Sequence, residues 1–395
     1  ALAGRTISSA SVGWYSVVVA DQQGAVLEWA QSPSVWYSRM SSACTDSQAS
    51  LRLTCPQTSS NGNIADSPTV VSIATGAQVL AVYAGPVNFV SLAAPTVMLS
   101  PTFSDTNCGS QSVSCKTLTA AFAVFTMAGT SFVLAPGVHT LSANTNSMVA
   151  NGAQIRSSSA SYANTLTALS IVGAIPSGSS WTVNCNAAGS AQNCFTLASG
   201  VSGVLLAGFT LNAATRVDNG LLRMGTSSSA LSIVGMTFSN VYSKKYSALY
   251  LTGSATISSS VFSNCTFQNA AGAVVAGGGA INFVASSAST LSISGCSFSS
   301  NRALGTGIVG GSLYLSGPIA LSISGATTFG SDTATGAGGS VWLGSGLTSA
   351  TLSSVTFTSS KSSADSGGAI FSANVPGLSL SSVGFSGTSA TSGNG

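Results

Sequence analysis

The chain has 395 residues and a formal net charge of only +3; 5% of its residues are charged and 45% hydrophobic, with a mean hydropathy of +0.45. An ordinary soluble domain carries roughly 25% charged residues, and disorder requires low hydrophobicity with high charge, so this composition points to a folded, β-rich chain. Its eleven Lys and Arg residues, densest at Lys244-Lys245, form no basic stripe and exclude a nucleic-acid partner. The eight acids are too few for a carboxylate-rich calcium or magnesium cage, and no cofactor is expected.

In chain order, Ala1-Leu2-Ala3-Gly4 shows neither an initiator Met nor a leader and reads as the start of a processed chain or a fragment. Residues 1–103 contain Trp14, Trp29 and Trp36 and six of the ten prolines. Within them Val17-Val18-Val19, Leu51-Arg52-Leu53 and Val79-Leu80-Ala81-Val82 predict antiparallel strands of a smaller N-terminal β-rich domain that serves assembly or capping. The second domain is expected over 104–395. It opens between Cys108 and His139 with an apolar helix around Ala121-Phe122-Ala123-Val124-Phe125, then a strand at Phe132-Val133-Leu134-Ala135 closed by Pro136-Gly137. That order suits the capped first coil of a stack. The uncharged run Thr117–Val138 is broken by Thr, Gly and Ser between 126 and 131, so no membrane span is expected. Less regular coils follow over 138–210.

The eight cysteines are Cys44, Cys55, Cys108, Cys115, Cys185, Cys194, Cys265 and Cys296. No C-x-x-C occurs and His139 is the single histidine, which excludes the common zinc patterns. Three pairs are close in sequence: Cys44/Cys55, Cys108/Cys115 and Cys185/Cys194. They read as disulfides of an oxidising compartment, hence an extracellular or cell-surface location.

Beyond residue 200 the sequence repeats. A Phe step recurs at Phe209, Phe238, Phe267, Phe298, Phe329, Phe357 and Phe385, at intervals of 28 to 31 residues. Between these marks stand Gly278-Gly279-Ala280-Ile281, Gly310-Gly311-Ser312-Leu313, Gly338-Gly339-Ser340-Val341 and Gly367-Gly368-Ala369-Ile370. A third mark reads Leu231-Ser232-Ile233, Leu291-Ser292-Ile293, Leu321-Ser322-Ile323 and Leu378-Ser379-Leu380. The period is 2 throughout and no helical stretch intervenes, which excludes βαβ units. A strand-only unit of this length buries its apolar side only by stacking on copies of itself about 4.8 Å away. The expected fold is therefore all-β, a parallel β-helix. Cys265 and Cys296 each precede a repeat Phe by two residues. Stacked, they would lie within disulfide range, and the pair reads either as a bond or as two buried free thiols.

The Gly-Gly-Ala-Ile motifs at 278–281 and 367–370 and the Phe-x-x-Asn motif at Phe298-Ser299-Ser300-Asn301 resemble the repeats of polymorphic outer membrane proteins and their pectin-lyase-like relatives. Asp332 and Ser360 stand where that pattern has Asn, after Phe329 and Phe357. The resemblance covers about 105–395 and implies a right-handed parallel β-helix, a fold that includes polysaccharide lyases and hydrolases.

Such enzymes need paired carboxylates or a held calcium beside a base. After Asn219 the acids are Asp332 and Asp365 alone, and both read as solvated corner residues. Arg216, Asp218 and Arg223 read as a local ion-pair cluster and His139 as a packed entry-coil residue. Asn264-Cys265-Thr266 is the one N-glycosylation sequon, making Asn264 a glycosylation candidate. No catalytic, cofactor or metal site emerges. The expected function is a non-catalytic extracellular structural subunit of a fibre, filament or coat, joined head to tail with copies of itself and glycosylated. The alternatives are a carbohydrate-binding or adhesive module using Tyr242, Tyr246 and Tyr250, and a polysaccharide-active enzyme.

Overall fold

The computed structural model describes residues 7–12, 16–21, 26–30, 96–105, 108, 114–124, 129–142, 148–149, 153–158, 179–186, 193–197, 199–213, 220–225, 230–268 and 277–392. The chain divides into two compact units: 1–98 with 102–116, and 99–101 with 117–395. The boundary expected at 103/104 falls within that passage.

In the first unit, Ile7–Val12, Ser16–Asp21 and Val26–Ala30 form a three-stranded antiparallel meander. The Val17-Val18-Val19 run is its central strand, with Val17 opposite Val12 and Trp29. Leu51–Leu53, Val79–Val82, Trp14 and Trp36 lie outside the described residues.

The second unit opens with the helix Leu118–Val124. Thr117 caps it, its Oγ1 accepting the Ala120 N–H at 3.1 Å. Leu118 and Ala121 are buried, and the Phe122 ring meets Phe132 edge-on at 4.8 Å between centroids. No helix of the described residues is long and apolar enough to cross a membrane. The apolar run instead becomes this short helix and the strand Ser131–Leu134.

From there the chain winds as a parallel β-solenoid of about 7 turns. Three parallel sheets run along it. The longest takes two strands from each regular coil, such as Leu231–Val234 and Thr237–Ser239. A six-stranded sheet runs from Tyr242–Ser243 to Ser389–Ala390, and an eight-stranded sheet from Met148–Val149 to Ile370–Ser372. Register stacks like on like: Ile233, Ile257, Ile293 and Ile323 form one buried column. Ile281, Leu313 and Val341 form another, continued by the half-buried Ile370.

The Gly-Gly doublets meet two separate demands. The first glycine of each, at 278, 310, 338 and 367, has φ between +65° and +79°, a region that costs other L-residues. The second has no room for a side chain. A Cβ on Gly311 would strike the carbonyl of Gly339, and one on Gly339 that of Gly368. Another corner has no glycine: Asn240, Asn264, Ser300, Ser331 and Ser359 share one column with φ of +52° to +56°.

The aromatic column departs from the even spacing expected of it. Register aligns Phe238 with Phe262, Phe298, Phe329, Phe357 and Phe385. The rings are within 9° of parallel, with centroids 4.6 to 5.3 Å apart. Phe209 and Phe267 are not members. Leu211 takes the place one coil before Phe238, and Phe267 lies in the six-stranded sheet beside Ala303. The coils are unequal: 24 residues separate Phe238 from Phe262, and 36 separate Phe262 from Phe298. An interval count averages these lengths and so selects the wrong Phe.

Phe298 is fully buried between Phe262 and Phe329, whereas Ser299 points outward and is half-buried. Phe298→Ala is expected to destabilise the solenoid by about 3–5 kcal/mol, through lost burial and a cavity in the stack. Ser299→Ala should change stability by less than about 0.5 kcal/mol. Urea unfolding followed by tryptophan fluorescence measures both, and equal costs would contradict this register.

Candidate functional site

The third residue after each column Phe enters the interior again. Register places Val241, Cys265, Asn301, Asp332 and Ser360 in one column, each just before a strand of the six-stranded sheet. Facing it across the coil is the column of Ala248, Ala280, Ser312, Ser340 and Ala369. All of these are buried, with Asn301, Asp332, Ser312, Ser340 and Ser360 at 0% exposure.

Buried polar groups require partners, and here the coils supply them to one another. The Asn301 carboxamide donates through Nδ2 to the Phe262 carbonyl at 3.1 Å and to Ser312 Oγ at 3.0 Å. Its Oδ1 accepts from the Cys265 N–H at 3.0 Å. Asp332 Oδ1 accepts from the Asn301 N–H at 2.9 Å, and Oδ2 accepts from Ser340 Oγ at 3.1 Å. Ser340 and Ser360 share a hydroxyl hydrogen bond of 2.6 Å. The Phe-x-x-Asn motif thus has a physical meaning. Its Phe fills the aromatic column and its Asn fills the polar one.

This ladder corrects two expectations. Asp332 is not a solvated corner residue but lies inside the solenoid. Its register partner in the next coil is Ser360, not Asp365. Asp365 is exposed and accepts from the Ser366 N–H at 2.7 Å. The two acids therefore do not form a pair on one surface.

The second correction concerns the stacking of Cys265 on Cys296, not their reading as free thiols. They are buried free thiols at different positions of the coil. Cys265 stacks on Asn301, whereas Cys296 follows the left-handed corner of the long sheet and stacks on Ser260. Each had been placed relative to a Phe, but only Cys296 precedes a column Phe. Burial pushes both thiols up in pKa, which makes them poor nucleophiles. Of the close pairs, Cys108–Cys115 and Cys185–Cys194 are disulfides, with Cα separations of 4.8 and 5.8 Å. Cys44 and Cys55 lie outside the described residues, as do Arg216 and Asp218.

Asn264 is exposed at a left-handed corner with φ +53°, and its Nδ2 donates to Asn240 Oδ1 at 3.0 Å. Tyr246 and Tyr250 meet at 4.7 Å between centroids, but Tyr242 belongs to the six-stranded sheet and Tyr250 to the eight-stranded one. Tyr246 is 7% exposed and packs with Phe267, Ala303 and Ile308. The Arg223 guanidinium lies 5.1 Å from the Tyr246 ring centre and the Lys245 ammonium 5.8 Å. Sequence reading did not find a further stack, Tyr314 on Trp342 at 4.6 Å, on the outward side of the eight-stranded sheet. The alternation around Leu313-Tyr314-Leu315 and Val341-Trp342-Leu343 carried that signal.

His139 occupies the aromatic column itself, in register with Val183, which leads through Leu211 to Phe238. It is 1% exposed, with Nε2 2.9 Å from the Ala135 carbonyl. Burial holds the imidazole below its ordinary pKa despite that hydrogen bond. A neutral ring donating from Nε2 fits both facts.

No protein-family model, curated protein or solved structure matches this chain. The likeness to pectin-lyase-like and polymorphic outer membrane repeats therefore rests on the motifs, and the fold class on the structure.

Peptide mapping without reduction should recover Cys108–Cys115 and Cys185–Cys194 as linked peptides. Cys265 and Cys296 should react with iodoacetamide only after unfolding. A Cys265–Cys296 link, or rapid labelling of either in the native chain, would contradict the register.

Proposed function

We propose that this chain is an extracellular structural protein whose solenoid is a subunit of a surface fibre, filament or coat, built by stacking copies head to tail. The observation that carries the reading is the coil 370–390. There, as in every coil from Leu231–Val234 onward, the strands pair in register with those of the neighbouring coil, so that the stack is extended by any further coil of the same pattern. Coils that pair by register can be supplied by a second copy of the chain as well as by the chain itself. A heterologous contact of this kind that does not close on itself gives a filament.

Other features support the same reading. The two disulfides fit an oxidising compartment. Asp332, half of the acid pair that polysaccharide chemistry would use, serves the interior instead. Asn264 is exposed and accessible to a glycan. The second reading, a carbohydrate-binding or adhesive flank, is favoured by the Arg223–Tyr246–Tyr250 group. Because Tyr246 is committed to packing, that reading leaves Tyr250 and Arg223 as the residues to meet a sugar.

Sedimentation velocity and negative-stain microscopy of the 395-residue chain test assembly. Concentration-dependent linear polymers are expected, lost in Leu380→Lys and Phe385→Lys. Deletion of residues 1–103 is expected to shorten or abolish them. A chain that stays monomeric at high micromolar concentration would overturn head-to-tail assembly, and polymers of normal length after the deletion would remove the first unit from it.

A further inference from the structure

Asp332 is a carboxyl enclosed by the solenoid with no cation beside it among the described residues. Its oxygens are held by the Asn301 N–H and by the hydroxyls of Ser340 and Ser312, with the Asn301 side chain adjoining. One coil earlier the same position holds Asn301, a neutral residue, and one coil later Ser360, also neutral. Of the groups that face it, Cys265 is the titratable one among the described residues, and burial keeps its thiol neutral. Arg302 and Lys361, on the strands either side of Thr333, are exposed. Tyr314, on the strand after Ser312, points to the outer face and stacks on Trp342. Asp365 is exposed beyond Ser362. An ionised Asp332 therefore has hydroxyls and one amide to offset its desolvation, and no countercharge.

We propose that Asp332 is a proton-operated control on the stacking of the last coils. As the neutral acid it joins the ladder with its proton hydrogen-bonded to Ser340 Oγ, whose own hydroxyl then turns from Asp332 Oδ2, to which it donates beside the carboxylate, to Ser360 Oγ. Ionised, it leaves a bare charge between coils and loosens the stack over about 330–390.

The pH window follows from the direction of the shift. Burial raises the carboxyl from its ordinary 3.8 to about 7. Because the folded-state value lies above the unfolded one, the folded form prefers the proton. The contribution to stability is complete below the unfolded value, falls as pH rises from about 4, and is lost above about 7. His139, in the entry coil and in the aromatic rather than the polar column, has the opposite sign, since its folded-state value is lowered and acid opposes its folded form. Location separates the two effects.

Hydrogen exchange with mass spectrometry, corrected for intrinsic rates, tests the proposal at pH 5 and pH 8 on the full chain. Peptides covering 333–372 are expected to open at least about tenfold more readily at pH 8, one pKa unit being worth a factor of ten. Peptides around Leu231–Val234 should be unaffected. Asp332→Asn, which copies Asn301, and Asp332→Ser, which copies Ser360, should each remove the difference. A wild-type chain with no pH difference in 333–372, or a difference that persists in both variants, overturns the proposal. Carbon-13 NMR titration of aspartate-labelled wild-type protein needs no variant to fold. A midpoint for Asp332 near the ordinary carboxylate value would equally overturn it.

Discussion

Parallel backbone pairing sets the distance from each coil to the next, and that spacing governs the rest of the molecule. Strands paired in register lie about 4.8 Å apart, so every side chain stands over the residue that shares its position one coil away. A Phe must tolerate a Phe at that distance, and the column from Phe238 to Phe385 does so with nearly parallel rings. A buried hydroxyl or amide must find its partner there too, and the ladder through Asn301, Asp332, Ser340 and Ser360 meets that requirement. Where backbones approach closely, as at Gly279, Gly311 and Gly339, no side chain fits at all.

The same constraint explains the composition. Within the solenoid the backbone is satisfied by neighbouring coils rather than by side chains, so outward positions need only be small and polar. Ser and Thr fill them, and charge becomes scarce. The interior is not purely apolar, however. Its polar column is tolerated because both of its walls are periodic, so a carbonyl, hydroxyl or amide recurs at each step. Asp332 is where that periodic arrangement accepts a carboxyl group.

Much of this was legible in the residues. Alternation in Leu-Ser-Ile and the Gly-Gly doublets predicted the strands of the long and the eight-stranded sheets, and the register confirms both columns. The helix at 118–124 and the two short disulfide loops could also be read. The Phe column could not be read correctly from spacing. Coil length varies, and Phe267 stands where an even period calls for Phe, although Phe262 is the residue in register. That slip also paired Cys265 with Cys296, while Asp332 reads as a solvated corner because Gly330 and Ser331 precede it. The interior role of the residue after Phe-x-x was present in the motif as Asn301, but hydrogen bonding between coils becomes visible only once the register is known. At the surface, an exposed corner Asn264 or the Arg223–Tyr246 contact has no periodic partner to announce it.

Register is the central claim, and a pair of introduced cysteines tests it most directly. Ser263 and Ser299 are register partners on the outward side of the long sheet, whereas even Phe spacing would set Gln268 opposite Ser299. The chain carrying Ser263→Cys and Ser299→Cys should form that disulfide readily under mild oxidation, seen as a linked peptide by mass spectrometry. The chain carrying Gln268→Cys and Ser299→Cys should not. A link in the second chain and none in the first would contradict the stacked columns described above.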